Sequence, residues 1–453
     1  MLSAYANIAR IPELRKRVLF TMGILALCRV STNIPCPGVD PEALAQMFGR
    51  MNSGGGGMLD MLNLFSGGAL QRFAVGALGI MPYISASIIM QLMTPVIPTL
   101  EKMVREGESG RQKYQQISRY VTVIICIIQG TMFATAMMNL PSGEKVVFTP
   151  GLGFVIRTVI TLTAGAMLLM WFGEMITERG IGNGASLIIT VNILSRLPQA
   201  VVSLYTMVRG GAVSGGQEYG IIHVLLLLGV FFLVCMGAVA LTQGHRKVPI
   251  RYAKRTAGRT GAPAGSTSYL PLRVNYSGVM PIIFAGAILM FLTMGPRWLA
   301  VQFPDNWLLS FINQNMSYAS GGYMFVYGMM ILLFCFFWVA NQFNPVQIAD
   351  NLQKSGGYVP GIRPGQPTAE FLETSMTRIT IAGAIFLTGL AVIPMLLTKQ
   401  FDLPQTVSQF FGGTSLLIMV GVVLDTMRQV ETHLMSNHYD GFLSKGKLRS
   451  RQR

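Results

Sequence analysis

The run "GGGGMLDMLNLFSGGALQRF" (54–73) leads directly into "AVGALGIMPYISASIIMQLM" (74–93), and their join decides the fold. The second stretch is apolar over 20 residues, the length an α-helix needs to cross a bilayer. The first holds an apolar, helix-competent piece, Met58 to Phe65, caught between two glycine clusters. As a helix rising about 1.5 Å per residue it reaches only about 12 Å, too short to span. Two readings fit: an amphipathic helix lying in the interface, or a re-entrant segment, tolerated only where it is buried in protein or lines a cavity. Glycines on both sides would let such a piece swing.

The rest of the chain agrees with a membrane setting. Of 453 residues, 51% are hydrophobic and only 12% charged, against about 25% charged in a soluble domain. Ten apolar windows suit spanning helices: 18–34, 74–93, 120–140, 154–173, 184–205, 221–242, 276–295, 323–343, 379–398 and 406–424. The fifth is the weakest, interrupted by Arg196 and Pro198. "LRKRVLFTMGILALC" (14–28) has the basic start and apolar core of a signal peptide. No small-residue cleavage site follows it and many spans do, so it reads as a first transmembrane helix. Ten spans place both termini on one side. The termini and the even-numbered loops hold 26 of the 35 Lys and Arg residues, which puts that side in the cytoplasm. The net charge of +16 is therefore topological before it is functional.

One cytoplasmic loop exceeds what topology asks, and a second carries an unusual turn. "GHRKVPIRYAKRTAGRTGAPAGSTSYLPLR" (244–273) carries seven Lys or Arg and no acid. Its "KVPIRYAKR" mixes apolar and basic residues as a short hairpin would. The loop reads either as a solvated segment with lipid-facing cations or as a docking finger for RNA or an acidic protein. In "SGGYVPGIRPGQPT" (355–368), four glycines and three prolines surround Arg363. Such a turn is neither helix nor strand, and it presents one guanidinium stiffly outside the bilayer.

Signals of chemistry are poor. "GASL" and "GTSL" place Ser186 and Ser415 near apolar runs, but neither is a GxSxG elbow and no intramembrane histidine offers a base. "EGESGRQK" (106–113) lacks the GK[ST] ending of a phosphate loop. Cys28, Cys36, Cys126, Cys235 and Cys335 form no CxxC pair and read as small core hydrophobes. No metal or cofactor site is expected. A secondary transporter would keep ionisable groups at mid-membrane, whereas Arg29, Arg157, Glu174 and Asp425 fall near span ends. Mid-span polarity is mostly neutral, as in Ser85, Ser87, Gln91, Gln129, Thr161 and Thr163. A path without fixed charge suits a substrate of variable chemistry.

Five long motifs resemble those of the SecY family, the pore subunits of bacterial protein translocases. They are "GIMPYISASIIMQLMTPVIPTLEKMVREGESGRQKYQQISRY" (79–120), "ITERGIGNGASLI" (176–188), "LPLRVNYSGVMPIIFA" (270–285), "NPVQIADNLQKSGGYVPGIRPG" (344–365) and "FGGTSLLIMVGVVLD" (411–425). The match runs in order from about residue 10 to 443. It implies an all-α integral membrane protein with ten transmembrane helices in two inverted-repeat halves around an hourglass pore. The halves would be residues 1–210 and 211–430, with cytosolic loops 243–275 and 344–378 and a basic tail at 431–453.

The resemblance further implies roles for particular residues. Ile80, Ile84, Ile189, Met280 and Ile418 would form a constriction ring, Met280 departing from the isoleucine expected there. Residues 58–72 would be a plug, with Met58, Leu59, Leu62, Leu64 and Phe65 as its apolar body. Ser87, Gln91, Thr94, Gln129 and Asn275 would line a lateral gate, although ordinary interhelical hydrogen bonding would account for them equally. Arg251, Lys254, Arg255 and Arg363 would dock the SecA ATPase or the ribosome. The implied partners also include SecE-like and SecG-like small membrane subunits, polypeptides bearing signal sequences, and the lipid bilayer of a plasma or inner membrane. The implied function is translocation of unfolded secretory proteins, with lateral release of transmembrane segments and no catalysis by the chain itself.

Overall fold

The computed structural model describes residues 12–40, 43–44, 63, 65–138, 147–208, 221–252, 267–276, 278–302, 306–316, 320–401 and 414–445. They fall into two compact units, one drawn from Met1–Ile221, Gln405–Phe410 and Val422–Arg453, the other from Ile222–Pro404 and Phe411–Gly421. The expected plug residues Met58, Leu59, Leu62 and Leu64, and the docking residues Lys254 and Arg255, lie outside the described residues.

The first unit contains α1 (Pro12–Ser31), α2 (Met81–Met93), α3 (Pro98–Arg105), α4 (Glu108–Met138), α5 (Leu152–Arg179), α6 (Gly184–Leu194) and α7 (Leu197–Val208). Between α1 and α2, residues 66–80 form consecutive turns rather than the helix expected from 74 onward. Pro82 sits in the first turn of α2, where a missing N–H is no loss. The helix is only 13 residues long. Beyond Pro95 the chain bends by 105° into α3, which has Pro98 in its own first turn.

α4 starts at Glu108, well before the apolar window at 120, because the polar run "ESGRQKYQQ" is itself helix-competent. The break expected at Arg196 and Pro198 is present between α6 and α7. At the start of α6, the Asn183 side chain accepts from the Ser186 N–H at 3.3 Å and caps the helix.

The second unit contains α8 (Ile221–Gln243), β1 (His245–Tyr252), β2 (Thr267–Arg273), α9 (Met280–Gln302), α10 (Trp307–Asn315), α11 (Gly321–Gln342), α12 (Pro345–Lys354), β3 (Gly357–Tyr358) and α13 (Gln366–Phe401). The final helix, α14 (Thr414–Lys445), is divided between the units. β1 and β2 are the expected hairpin strands, antiparallel from His245↔Arg273 to Arg251↔Thr267. The short β3 joins the other edge of β1, with Arg251 opposite Tyr358. Val248 and Ile250 point inward while Arg251 and Tyr252 are exposed, the period-2 alternation of a strand with one buried face. That face closes a small core of Val248, Leu272, Phe343, Val359, Leu372 and Met376.

Six described helical runs are long and apolar enough to cross a membrane, and the bent α2–α3 pair would make seven. They cover Glu108–Met138, Leu152–Arg179, Gly184–Tyr205, Val224–Gln243, Gly321–Lys354 and Gln366–Ile393. α1 falls short on charge, with Arg15, Lys16, Arg17 and Arg29 in its 20 residues. In α9, the described apolar stretch is the shorter Met280–Leu289. The first part of the tenth expected window, 406–413, lies outside the described residues. The chain is a multi-pass helical membrane protein.

Candidate functional site

The turn segment ahead of α2 is bound into the first unit by polar side chains at the ends of two helices. Arg29, near the end of α1, donates from Nη1 and Nη2 to the Gly67 carbonyl at 3.4 and 3.3 Å. Its Nη1 also donates to Asn192 Oδ1 at 3.2 Å. Asn192, near the end of α6 and only 1% exposed, donates through Nδ2 to the Phe65 carbonyl at 2.9 Å. One amide thus meets both the guanidinium and the segment. Arg196 adds a long contact from Nη2 to the Asn63 carbonyl at 3.5 Å.

The segment also holds itself together. The Asn63 side chain accepts from the Gln71 N–H at 3.1 Å, and Ser66 Oγ accepts from the Leu70 N–H at 3.2 Å. Its later part pairs with the loop after α1, through Cys36 N–H to the Phe73 carbonyl at 2.9 Å and Val75 N–H to the Ile34 carbonyl at 2.8 Å. Two features make this arrangement exacting. Gly67 has φ +65°, and a Cβ there would collide with Arg29 Nη1. Phe73, fully buried, takes φ 44°, a left-handed conformation that costs a non-glycine residue about 1–2 kcal/mol.

The candidate constriction residues are apolar and mostly hidden. In the first unit, Ile80 and Ile189 are 1% exposed and Ile84 is 7% exposed. Ile80 immediately precedes α2, and its Cδ1 lies close to Gly173 of α5. In the second unit, Ile418 is fully buried on α14 and Met280 is half-buried at the start of α9.

Among the candidate gate residues, Gln129 is buried on α4 and Ser87, Gln91 and Thr94 are half-buried. Thr94 Oγ1 donates to the Met90 carbonyl at 2.7 Å and lies 3.2 Å from Tyr114 OH on α4. Asn275, in the second unit, donates to the Gly278 carbonyl at 2.8 Å.

The docking candidates that are described belong to one folded piece. Arg251 and Arg363 are both exposed. β1 carries Arg251, and the turn bearing Arg363 follows β3 directly. Thr368 Oγ1 donates to the Arg363 carbonyl at 2.8 Å, fixing the turn from within. Ile362, next to Arg363, packs on the same small core as Val248 and Leu272.

Sequence reasoning passed over two residues that tie down the segment, Asn63 and Asn192, and it used Arg29 only as a span-end charge and Arg196 only as a break in the fifth span. A signal was available, since Arg29 and Arg196 are among the nine cations outside the set of 26 that the charge pattern assigns to one side. It also missed that Glu174 on α5 has a partner. Arg119 on α4 donates to it twice, Nη2–Oε2 at 2.7 Å and Nε–Oε1 at 3.2 Å. Among the described residues, no group of three His, Cys, Asp or Glu could hold a metal ion.

Fold and site together define a class: a multi-pass helical membrane protein with a turn segment folded into its interior and a small basic sheet on the second unit. The SecY family model matches residues 74–427. The protein translocase subunit SecY of Escherichia coli K12 is 42% identical over 96% of this chain and 95% of its own length. SecY of Chlamydia muridarum is 39% identical over 98% of each chain, and that of Streptomyces scabiei is 40% identical over 98% of this chain and 100% of its own. A solved protein-conducting channel superposes with a TM-score of 0.60 at 16% identity, covering 93% of this chain and 92% of that one. A SecY structure, described by its plug domain's stabilising of the closed state, superposes equally well at 17% identity. The chain belongs to the SecY family.

Proposed function

We infer that this chain is the conducting subunit of a protein translocase. It passes unfolded polypeptides across the membrane and releases transmembrane segments sideways into the bilayer. The observation that carries this reading is the interrupted segment: irregular backbone, buried beside spanning helices, immediately ahead of an apolar half-span. Irregular backbone at membrane depth is tolerated where protein buries it or a cavity adjoins it, which suits a stopper.

The finer reading follows the family. Ten spans lie in two halves, 1–210 and 211–430, with a basic tail at 431–453, and both termini face the cytoplasm of a cell membrane. Ile80, Ile84, Ile189, Met280 and Ile418 form an apolar ring that blocks ions by dewetting yet yields around an extended chain. A charged or hydrogen-bonding ring would hold some sequences and stall others. Residues 58–72 are the plug, and Ser87, Gln91, Thr94, Gln129 and Asn275 line the lateral gate. Arg251, Lys254, Arg255 and Arg363 receive SecA or the ribosome, while SecE-like and SecG-like subunits brace the halves. Arg363 suits this role because a stiff turn loses little entropy on docking and a guanidinium engages phosphate or carboxylate in pairs.

Crosslinking tests the reading. A photoreactive residue is placed at Ile84, Ile189 or Ile418, with a lipid-facing span position as control. A signal-bearing chain is then arrested part-way across vesicles holding the assembled complex. Adducts at the ring positions and not at the control are expected. Their absence from a complex that is actively translocating would remove the ring assignment.

A further inference from the structure

We propose that Arg29 and Asn192 form a releasable latch that holds the described part of the plug stalk, residues 63 and 65–73, in the resting channel. The proposal rests on the channel reading above and assigns positioning roles to two residues outside the ring, the plug and the gate.

Three independent observations converge on these residues. First, their bonds cross between elements: α1 and α6 each send one side chain to the same stretch of backbone. Arg29 reaches the Gly67 carbonyl and Asn192 the Phe65 carbonyl, while Asn192 Oδ1 accepts from Arg29 at 3.2 Å. Loss of either residue leaves the other without one of its partners. Second, the position is costly without such a role. Arg29 lies at the end of α1 remote from the basic cytoplasmic face, where the topology calls for no cation, and it is half-buried. Its hydrogen-bond partners among the described residues are a carbonyl and an amide, neither of them charged. Third, the backbone it grips is shaped to admit it. The missing side chain of Gly67 leaves the space that the guanidinium fills.

The partners fit a catch that opens. Arg29 donates to a neutral carbonyl and a neutral amide oxygen. A carboxylate partner would hold such a guanidinium far more tightly. Strain at Phe73 (φ 44°) favours release, because that residue relaxes once the stalk leaves. The pair thus biases a two-state segment without a buried ion pair to break.

The test uses the full chain with its partner subunits in vesicles, reading passive ion flux and transport of a substrate with a defective signal sequence. Arg29→Gln and Asn192→Ala are expected to raise resting flux by about tenfold, because a hydrogen bond from a charged donor is large enough to shift a two-state population by that factor. Both variants are expected to admit the defective-signal substrate. Arg29→Lys should restore tightness only in part, since an ammonium can reach one acceptor but cannot span both as a fork does. Asn192→Ala removes no charge and places a better helix former in α6, so it reports even where the arginine variant fails to assemble.

Wild-type flux and wild-type signal selectivity in Asn192→Ala, from vesicles that carry a normal substrate, would overturn the latch and leave the channel reading intact. Vesicles of the unmodified complex that carry no substrate would remove the channel reading, and the latch with it.

Discussion

Gly165 on α5 shows how closely the turn segment is packed. A Cβ at this position would overlap the Val75 carbonyl oxygen. Gly165→Ala must therefore push backbone away from helix, and overpacking of this kind costs about 1–3 kcal/mol. A lower melting temperature of the detergent-solubilised complex is the expected result. The Arg119–Glu174 pair is a second residue-scale anchor, two-pronged but only partly shielded, with side-chain exposures of 41% and 15%. Discounted for that exposure, the pair contributes about 1 kcal/mol. A double-mutant cycle on thermal stability, Arg119→Gln against Glu174→Gln, should return a coupling of that order. Arg363 behaves differently, because its side chain is exposed and its turn is fixed by the backbone bond from Thr368. Arg363→Glu reverses the charge presented and leaves the turn in place. Motor- or ribosome-driven transport should fall by about tenfold or more, with normal amounts of the chain in the membrane. Undiminished transport by that variant would sink the docking role.

At the scale of elements, the sheet of the second unit packs on a small core that it shares with the end of α11 and with α13. Leu272 is fully buried there and packs among Val248, Phe343, Val359, Leu372 and Met376. Leu272→Ala should cost about 2–5 kcal/mol locally, seen as faster amide exchange in β1 and β3 with α5 unchanged. The hairpin was legible from alternating apolar and basic residues in "KVPIRYAKR". β3 was not, because two residues carry no periodicity and a pairing between distant loops leaves no local mark. The second span failed in an instructive way. Its 20-residue apolar window was read as one helix, yet the helix occupies only Met81–Met93. Hydropathy records that a segment avoids water. It does not distinguish helix from turns whose polar groups find partners in the protein, as Val75 and Phe73 do with the loop after α1.

Across the whole molecule, charge is the most telling quantity. The 26 Lys and Arg residues assigned to one side predict that reporters fused to the N-terminus and to the C-terminus both read cytoplasmic. A reporter active only outside the membrane that signals from both ends would overturn the orientation, and one that signals from a single end would overturn the ten-span assignment. The same distribution makes the exceptions informative. Arg29 and Arg196 stand apart from the basic face, and both hydrogen-bond to the turn segment.

The sequence by itself determined the membrane class, the family, the basic loops and the stiff Arg363 turn. Each of these is written in composition or in contiguous words, which local physics reads directly. Only the tertiary structure decided where the second span becomes helical, that β3 completes the sheet, and that Arg29, Asn192 and the Gly67 carbonyl meet. Arg29 and Asn192 stand 163 positions apart in the chain. Their meeting depends on α1 and α6 ending at the same place in space, and no spacing along the sequence encodes that.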